Sequence, residues 1–200
     1  MDELIRRVGT AHPRPVLPPE GGEDDPGAFL DWLGEAIPLV GSLGITRMAR
    51  DKESLRWELA LTPNLNDKGT GFGGSLAAQT TLLGWCWTTL WLRRRGYNRD
   101  VVVAEASQRF LAPVTGDYRL ICRPEVSSAA DVDASGAAGQ GSAGQVGRET
   151  GAEAALEQRL AERGKGRIAL VQQLWCGDTL CLEARGDYAV LASEPPIAAR

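Results

Sequence analysis

Histidine is nearly missing from this 200-residue chain: His12 is the only one, and it stands in a proline-rich stretch. Ser-His-Asp, Cys-His and multi-histidine zinc chemistry each need an ordered imidazole beside its partners, so none is expected here. Cysteine is sparse as well. Cys86, Cys122, Cys176 and Cys181 form no C-x-x-C pair, which suits reduced thiols packed as small hydrophobes better than a metal site or a disulfide framework. An excess of positive charge is also lacking: 22 Lys and Arg against 26 Asp and Glu leave a net charge of -4. Nucleic acid or an anionic membrane would therefore need a segregated basic patch, and neither is expected as a partner. The first residues carry no apolar signal core, so no cleaved leader is expected and the chain reads as cytoplasmic.

Long apolar runs are scarce too. Residues 76–92 carry no charge over a helical length and are followed by Arg93, Arg94 and Arg95. Gln79, Thr80, Thr81, Gly84, Thr88 and Thr89 dilute that run, which is short against the roughly 20 residues a bilayer requires. A helix apolar on most sides and interrupted by small polar residues predicts one buried inside a water-soluble fold.

What the chain does have is 43% hydrophobic and 24% charged residues, the composition of one globular domain with a full core. Residues 1–26 read as a flexible leader carrying Pro13, Pro15, Pro18, Pro19 and an acidic run. Phe29, Leu30, Trp32, Leu33 and Ile37 then recur at helical spacing behind an Asp25-Pro26 start signal. Strands are predicted over 45–50, 55–61, 101–111, 118–125, 167–176 and 179–184, the last extending through Tyr188, Ala189 and Val190. Gly177-Asp178 marks a hairpin turn, and Gly96 is suited to end the long helix. Residues 127–166 shift to Ala, Gly, Ser, Gln and charge without one aromatic side chain, and so read as an insertion, although 152–163 can form a short helix through Leu156 and Leu160. Residues 193–200 read as a tail. One helix apolar on most sides, among antiparallel hairpins, calls for a strongly curved sheet around it: an α+β architecture.

The segment Asn66-Asp67-Lys68-Gly69-Thr70-Gly71-Phe72-Gly73-Gly74-Ser75-Leu76 enters the long helix. Together with Val101-Val102-Val103-Ala104-Glu105 and Arg109-Phe110-Leu111-Ala112-Pro113-Val114-Thr115-Gly116-Asp117, it resembles the hotdog fold, and within it the thioesterase domain found at the C-terminus of YiiD-type proteins. The resemblance covers residues 27–192 apart from the insertion. It implies a homodimer or higher homo-oligomer whose sheets join edge to edge, acting on acyl groups carried by coenzyme A or acyl carrier protein. No cofactor or metal is implied.

Thioester hydrolysis builds negative charge on the carbonyl oxygen, so donors must point there. Gly73, Gly74 and Ser75 offer backbone N–H groups at a helix start, with Gly74 the leading candidate and Phe72 beside it; the glycines would equally allow a sharp turn alone. Asn66 precedes Phe72 at the spacing that related hotdog thioesterases use for an asparagine, and its amide can donate to an oxyanion or orient water. It would also serve as a turn-former. No Asp, Glu or His occurs between Gly69 and Arg99, so the helix holds no general base where phenylacetate-pathway-type relatives place an acid; Thr81 stands there instead and can only position water. Glu105, mid-strand, could compensate if burial raised its pKa, and Asp67 in the loop is a lesser candidate. Arg94 and Arg95, with Arg93 and Arg99, could meet a coenzyme A phosphate or an acidic carrier, or simply form a solvated helix end. Malonyl-thioester decarboxylation, which needs oxyanion donors and no activated water, and a non-catalytic acyl-binding module remain as alternatives.

Overall fold

The computed structural model describes residues 8–20, 22–51, 53–125 and 151–192. The proposed tail and most of the insertion lie outside these residues. Three helices and six strands follow in the order α1 (Pro26–Ala36), β1 (Ile45–Arg50), β2 (Leu55–Leu59), α2 (Gly73–Arg94), β3 (Val101–Phe110), β4 (Tyr118–Pro124), α3 (Gly151–Arg163), β5 (Gly166–Cys176) and β6 (Thr179–Val190).

Each element begins and ends for a local reason. Pro26 opens α1 at a position where its missing N–H costs nothing, and the Asp25 carboxylate accepts from Gly27 N at 2.8 Å. At the other end of α2, Gly96 takes φ +74°. It donates to Arg93 O at 3.0 Å while Tyr97 N donates to Leu92 O at 3.0 Å, the paired bonds of a Schellman cap.

The six strands form one antiparallel sheet in the order β1-β2-β4-β5-β6-β3. Residues alternate between its faces, so Trp57, Leu120, Leu170, Leu174, Leu182 and Tyr188 turn inward. They meet Leu76, Leu83, Cys86, Trp87, Leu90 and Trp91 of α2, and these side chains share one hydrophobic core. This is the curved sheet around a long helix that the hotdog resemblance implied. α1 adds Phe29 and Leu33 to the core, and α3 adds Leu156 and Leu160 beside β5. No helix among the described residues is long and apolar enough to cross a membrane.

The short turn that joins β3 to β4 does not make them neighbours in the sheet: β3 crosses to the far edge and bonds to β6, while β4 lies between β2 and β5. The described residues of the leader lie against the domain. Arg93 is 7% exposed, its guanidinium held by the Asp24 carboxylate, Pro15 O (2.8 Å) and Val16 O (2.5 Å). Arg14 meets Asp100 at 2.5 Å, and Trp32 donates to Pro13 O at 3.0 Å. A buried guanidinium stripped of its carboxylate is costly. Asp24→Ala is therefore expected to lower stability by about 2 kcal/mol, below the usual loss for a buried pair because two carbonyls still accept from Arg93. Urea unfolding followed by tryptophan fluorescence measures this.

Candidate active site

The loop before α2 is held by two asparagines with different duties. Asn64 is buried and donates through Nδ2 to Leu43 O (2.9 Å) and Ala60 O (3.0 Å). Its Oδ1 accepts from Gln79 Nε2 at 3.0 Å, and Gln79 Oε1 accepts from Tyr118 Oη at 2.8 Å. Every member of this buried chain is satisfied, which ties loop, helix and β4 together. Burial pushes the Tyr118 phenol up to about 12 against the opposing Gln79 hydrogen bond, with the Asp117 charge adding to the rise. Tyr118 is therefore neutral at pH 7 and supplies no base.

Asn66 staples the loop tip. Its Oδ1 accepts from Lys68 N (2.8 Å) and Thr70 N (3.1 Å), and its Nδ2 donates to Thr70 Oγ1 at 2.9 Å and Gly71 O at 3.3 Å. Gly71 N donates to Val114 O and Phe72 N to Asn64 O, delivering the chain to the helix. Asp67 is exposed, with its carboxylate 3.2 Å from Lys68 Nζ.

Phe72 occupies the N-cap of α2 in extended conformation and contributes no side-chain cap. The first bond of the helix runs from Leu76 N to Phe72 O at 3.1 Å, so the N–H groups of Gly73, Gly74 and Ser75 precede the intrahelical ladder. Ser75 Oγ donates to Phe72 O at 2.9 Å and is occupied as a loop tie. Phe72 and Phe110 are each 54% exposed and flank this turn: a Cβ on Gly73 would lie 3.5 Å from the Phe110 ring, and one on Gly74 would lie 2.5 Å from that of Phe72. The result is a helix end with three donors unspent among the described residues, the positive pole of its dipole and an aromatic surround.

Thr81 lies eight residues into α2, about 12 Å along its axis from Gly73. Its hydroxyl donates to Ala77 O at 2.9 Å and receives Gln108 Nε2 at 3.4 Å. Gln108 was not singled out from sequence, although strand alternation puts Ala106, Gln108 and Phe110 on one face of β3. Glu105 is exposed within the protomer, follows an irregularity in β3 and pairs with Asp187, next to the inward-facing Tyr188. It lines an outer-face groove with Glu125, Arg185 and Asp187, away from α2. Within one protomer this edge strand leaves the carboxylate to solvent.

Arg94 and Arg95 end the same helix about 31 Å from Gly73, so they do not join the helix start within one protomer. Arg94 lies 3.8 Å from Glu23, and Arg95 lies 4.0 Å over the Trp91 ring and 3.8 Å from Glu157.

A family model described as "putative thioesterase (yiiD_Cterm)" matches residues 28–192, most of the chain. The chain belongs to this family. Solved structures share the fold of this yiiD_Cterm family member at low identity. A protein of unknown function from Chlorobaculum tepidum TLS is 21% identical, with 84% of this chain and 94% of that one covered and a TM-score of 0.66. A putative thioesterase from Shewanella oneidensis is 24% identical, with 83% and 96% covered and a TM-score of 0.64. A thioesterase from Haemophilus influenzae is 13% identical, with 88% and 97% covered and a TM-score of 0.61. At these identities the likeness establishes the hotdog fold, while family membership carries the thioesterase description.

Proposed function

We propose that this protein hydrolyses acyl thioesters carried by coenzyme A or acyl carrier protein, with the start of α2 as the oxyanion site. The observation that carries this is the uncapped first turn, whose Gly73, Gly74 and Ser75 amides open between the exposed rings of Phe72 and Phe110. The thioester oxygen accepts from the Gly74 N–H, assisted by its neighbours, and gains stabilisation as it becomes an oxyanion. The phenyl rings contact the acyl group. Asn66 acts as a positioning residue, because its hydrogen bonds hold the loop that aims these amides. Thr81 and Gln108 hold water in the groove between α2 and β3.

A second copy completes the groove in this reading. Of the ten residues of β3 only Val101 is buried and Gln108 half-buried, and one edge of the strand has no partner among the described residues. Such an edge favours pairing with another strand. Val102→Lys/Val103→Lys, which charges two side chains 42% and 41% exposed, is expected to convert a dimer to a monomer in light scattering. A monomeric wild type at the same concentration would count against the assembly.

One observation favours decarboxylation as a second reading: neither α2 nor the inward-facing residues Val103, Ala106, Gln108 and Phe110 of β3 bear an acid or imidazole. Enolate formation from a malonyl thioester needs oxyanion donors without an activated water. A panel of acyl- and malonyl-thioesters on both carriers separates the readings. Thiol release marks hydrolysis, and carbon dioxide with the thioester intact marks decarboxylation. Neither product across the panel would leave only a binding module.

A further inference from the structure

A second cavity lies toward the other end of α2, where the leader crosses the domain. Its volume is about 290 Å³, and its walls include His12 of the leader, Trp32 of α1, Trp85 and Thr89 of α2, and Tyr97 and Arg99 of the following turn. Thr89 is sixteen residues beyond Gly73, about 24 Å along the helix axis, so this cavity is separate from the proposed oxyanion site.

Four ring side chains, His12, Trp32, Trp85 and Tyr97, line it. Trp32 and Trp85 have nearly parallel rings, with centroids 6.4 Å apart and planes inclined by 12°, and the His12 ring centroid lies 6.0 Å from that of Trp32. Both indole N–H groups are spent on the backbone, Trp32 on Pro13 O and Trp85 on Val101 O, so the rings offer π surface and no donor.

The polar groups around these rings are incompletely matched. Thr89 Oγ1 and His12 Nδ1 are both shielded from solvent and have no hydrogen-bond partner among the described residues. A threonine hydroxyl on a helix ordinarily donates back to a carbonyl of the preceding turn, as Thr81 and Thr88 do here. Native folds rarely leave such atoms unpaired without a reason. The cations differ in the same way. Arg14 is paired with Asp100 and Arg93 with Asp24, whereas Arg99 has neither an ion pair nor a hydrogen bond among the described residues.

We propose that this cavity binds a compact aromatic carboxylate. The ring lies against the tryptophan wall, the carboxylate pairs with Arg99, and Thr89 and His12 gain the hydrogen-bond partners they lack. The small volume excludes a long acyl chain and suits one ring system with a short acidic arm. Because His12 belongs to the leader and Thr89 to α2, the bound acid fastens the leader to the domain.

Indole-3-acetate titrated into the full chain by calorimetry tests the proposal, with 3-methylindole and AMP as comparison probes. Saturable one-to-one binding of indole-3-acetate is expected with a Kd below about 1 mM. The neutral 3-methylindole should bind about tenfold more weakly, and Arg99→Gln should weaken indole-3-acetate by a similar factor. Thr89→Val separates binding from folding: it should weaken binding about fivefold while the Tm holds or rises, since a methyl replaces an unsatisfied buried hydroxyl. Four results overturn the assignment: no saturable binding of any probe, equal binding of the neutral ring, tighter binding of AMP than of the carboxylate, or binding unchanged in both variants.

Discussion

Gly74→Pro is expected to lower kcat/KM for an acyl thioester by about 10²–10³-fold, the loss typical of removing one oxyanion donor. The substitution deletes a single N–H. That N–H precedes the first intrahelical bond, from Leu76 to Phe72, so α2 keeps its ladder, and proline is accommodated in a first helical turn. Proline also adds a Cβ, which at this position would lie 2.5 Å from the Phe72 ring. Gly74→Ala adds the same atom and keeps the N–H, and Phe72 is 54% exposed and free to turn aside. The alanine variant should therefore stay within about tenfold of wild type, a loss of no more than about 1.4 kcal/mol in transition-state stabilisation. Steady-state kinetics on the two variants, with thermal melts as the control for folding, isolate the amide. Equal activity in both variants and the wild type would remove Gly74 from the mechanism.

Gly84→Ala is expected to cost about 3 kcal/mol, the upper part of the usual range for overpacking. Gly84 lies in the middle of α2 where Tyr188 crosses it: an added Cβ would fall 2.1 Å from Tyr188 Oη and 2.2 Å from Cζ. The phenol is fixed by its hydrogen bond to Thr81 O at 2.9 Å and is fully buried, so the ring has nowhere to retreat. A loss of this size lowers the Tm by about 6–12 °C in a chain of this length. Tyr188→Phe should not rescue it, because Cζ and Cε2 clash as well as the hydroxyl. Tyr188→Leu should recover part of the loss in a double-mutant cycle. Calorimetric melts of the four proteins decide the matter, and additive effects would mean that the two residues are not in contact.

The contrast between these glycines shows how far the sequence could be read. Gly73 and Gly74 stand out because they follow a loop dense in Asn and Gly and precede a long apolar run. Their role at a helix start was legible from local order alone. Gly84 reads as a diluting small residue in that run, since nothing nearby in the chain announces that a tyrosine 104 positions later will lie across it. Asn66 shows the same limit from the other side. The hotdog resemblance implied a site role for it, but whether its amide faces a substrate or its own loop depends on Thr70 and Gly71 closing onto it. Glu105 was assigned to a strand correctly, and its exposure follows from β3 standing at the sheet edge. Arg93 looked like one of three equivalent arginines until the leader placed Asp24 and two carbonyls around it.

The sequence by itself determined the elements and the core. Period-2 and period-3.6 patterning, Pro26, Gly96 and the Gly177-Asp178 turn act over a few residues and select local conformations whatever the rest of the chain does. The tertiary structure alone decided that β3 leaves β4 for β6, that Tyr188 needs Gly84, that the leader buries Arg93, and that three first-turn amides remain unspent between two phenyl rings. These are pairings across long stretches of chain. Their energies depend on which surfaces meet, and a one-dimensional pattern does not contain that information.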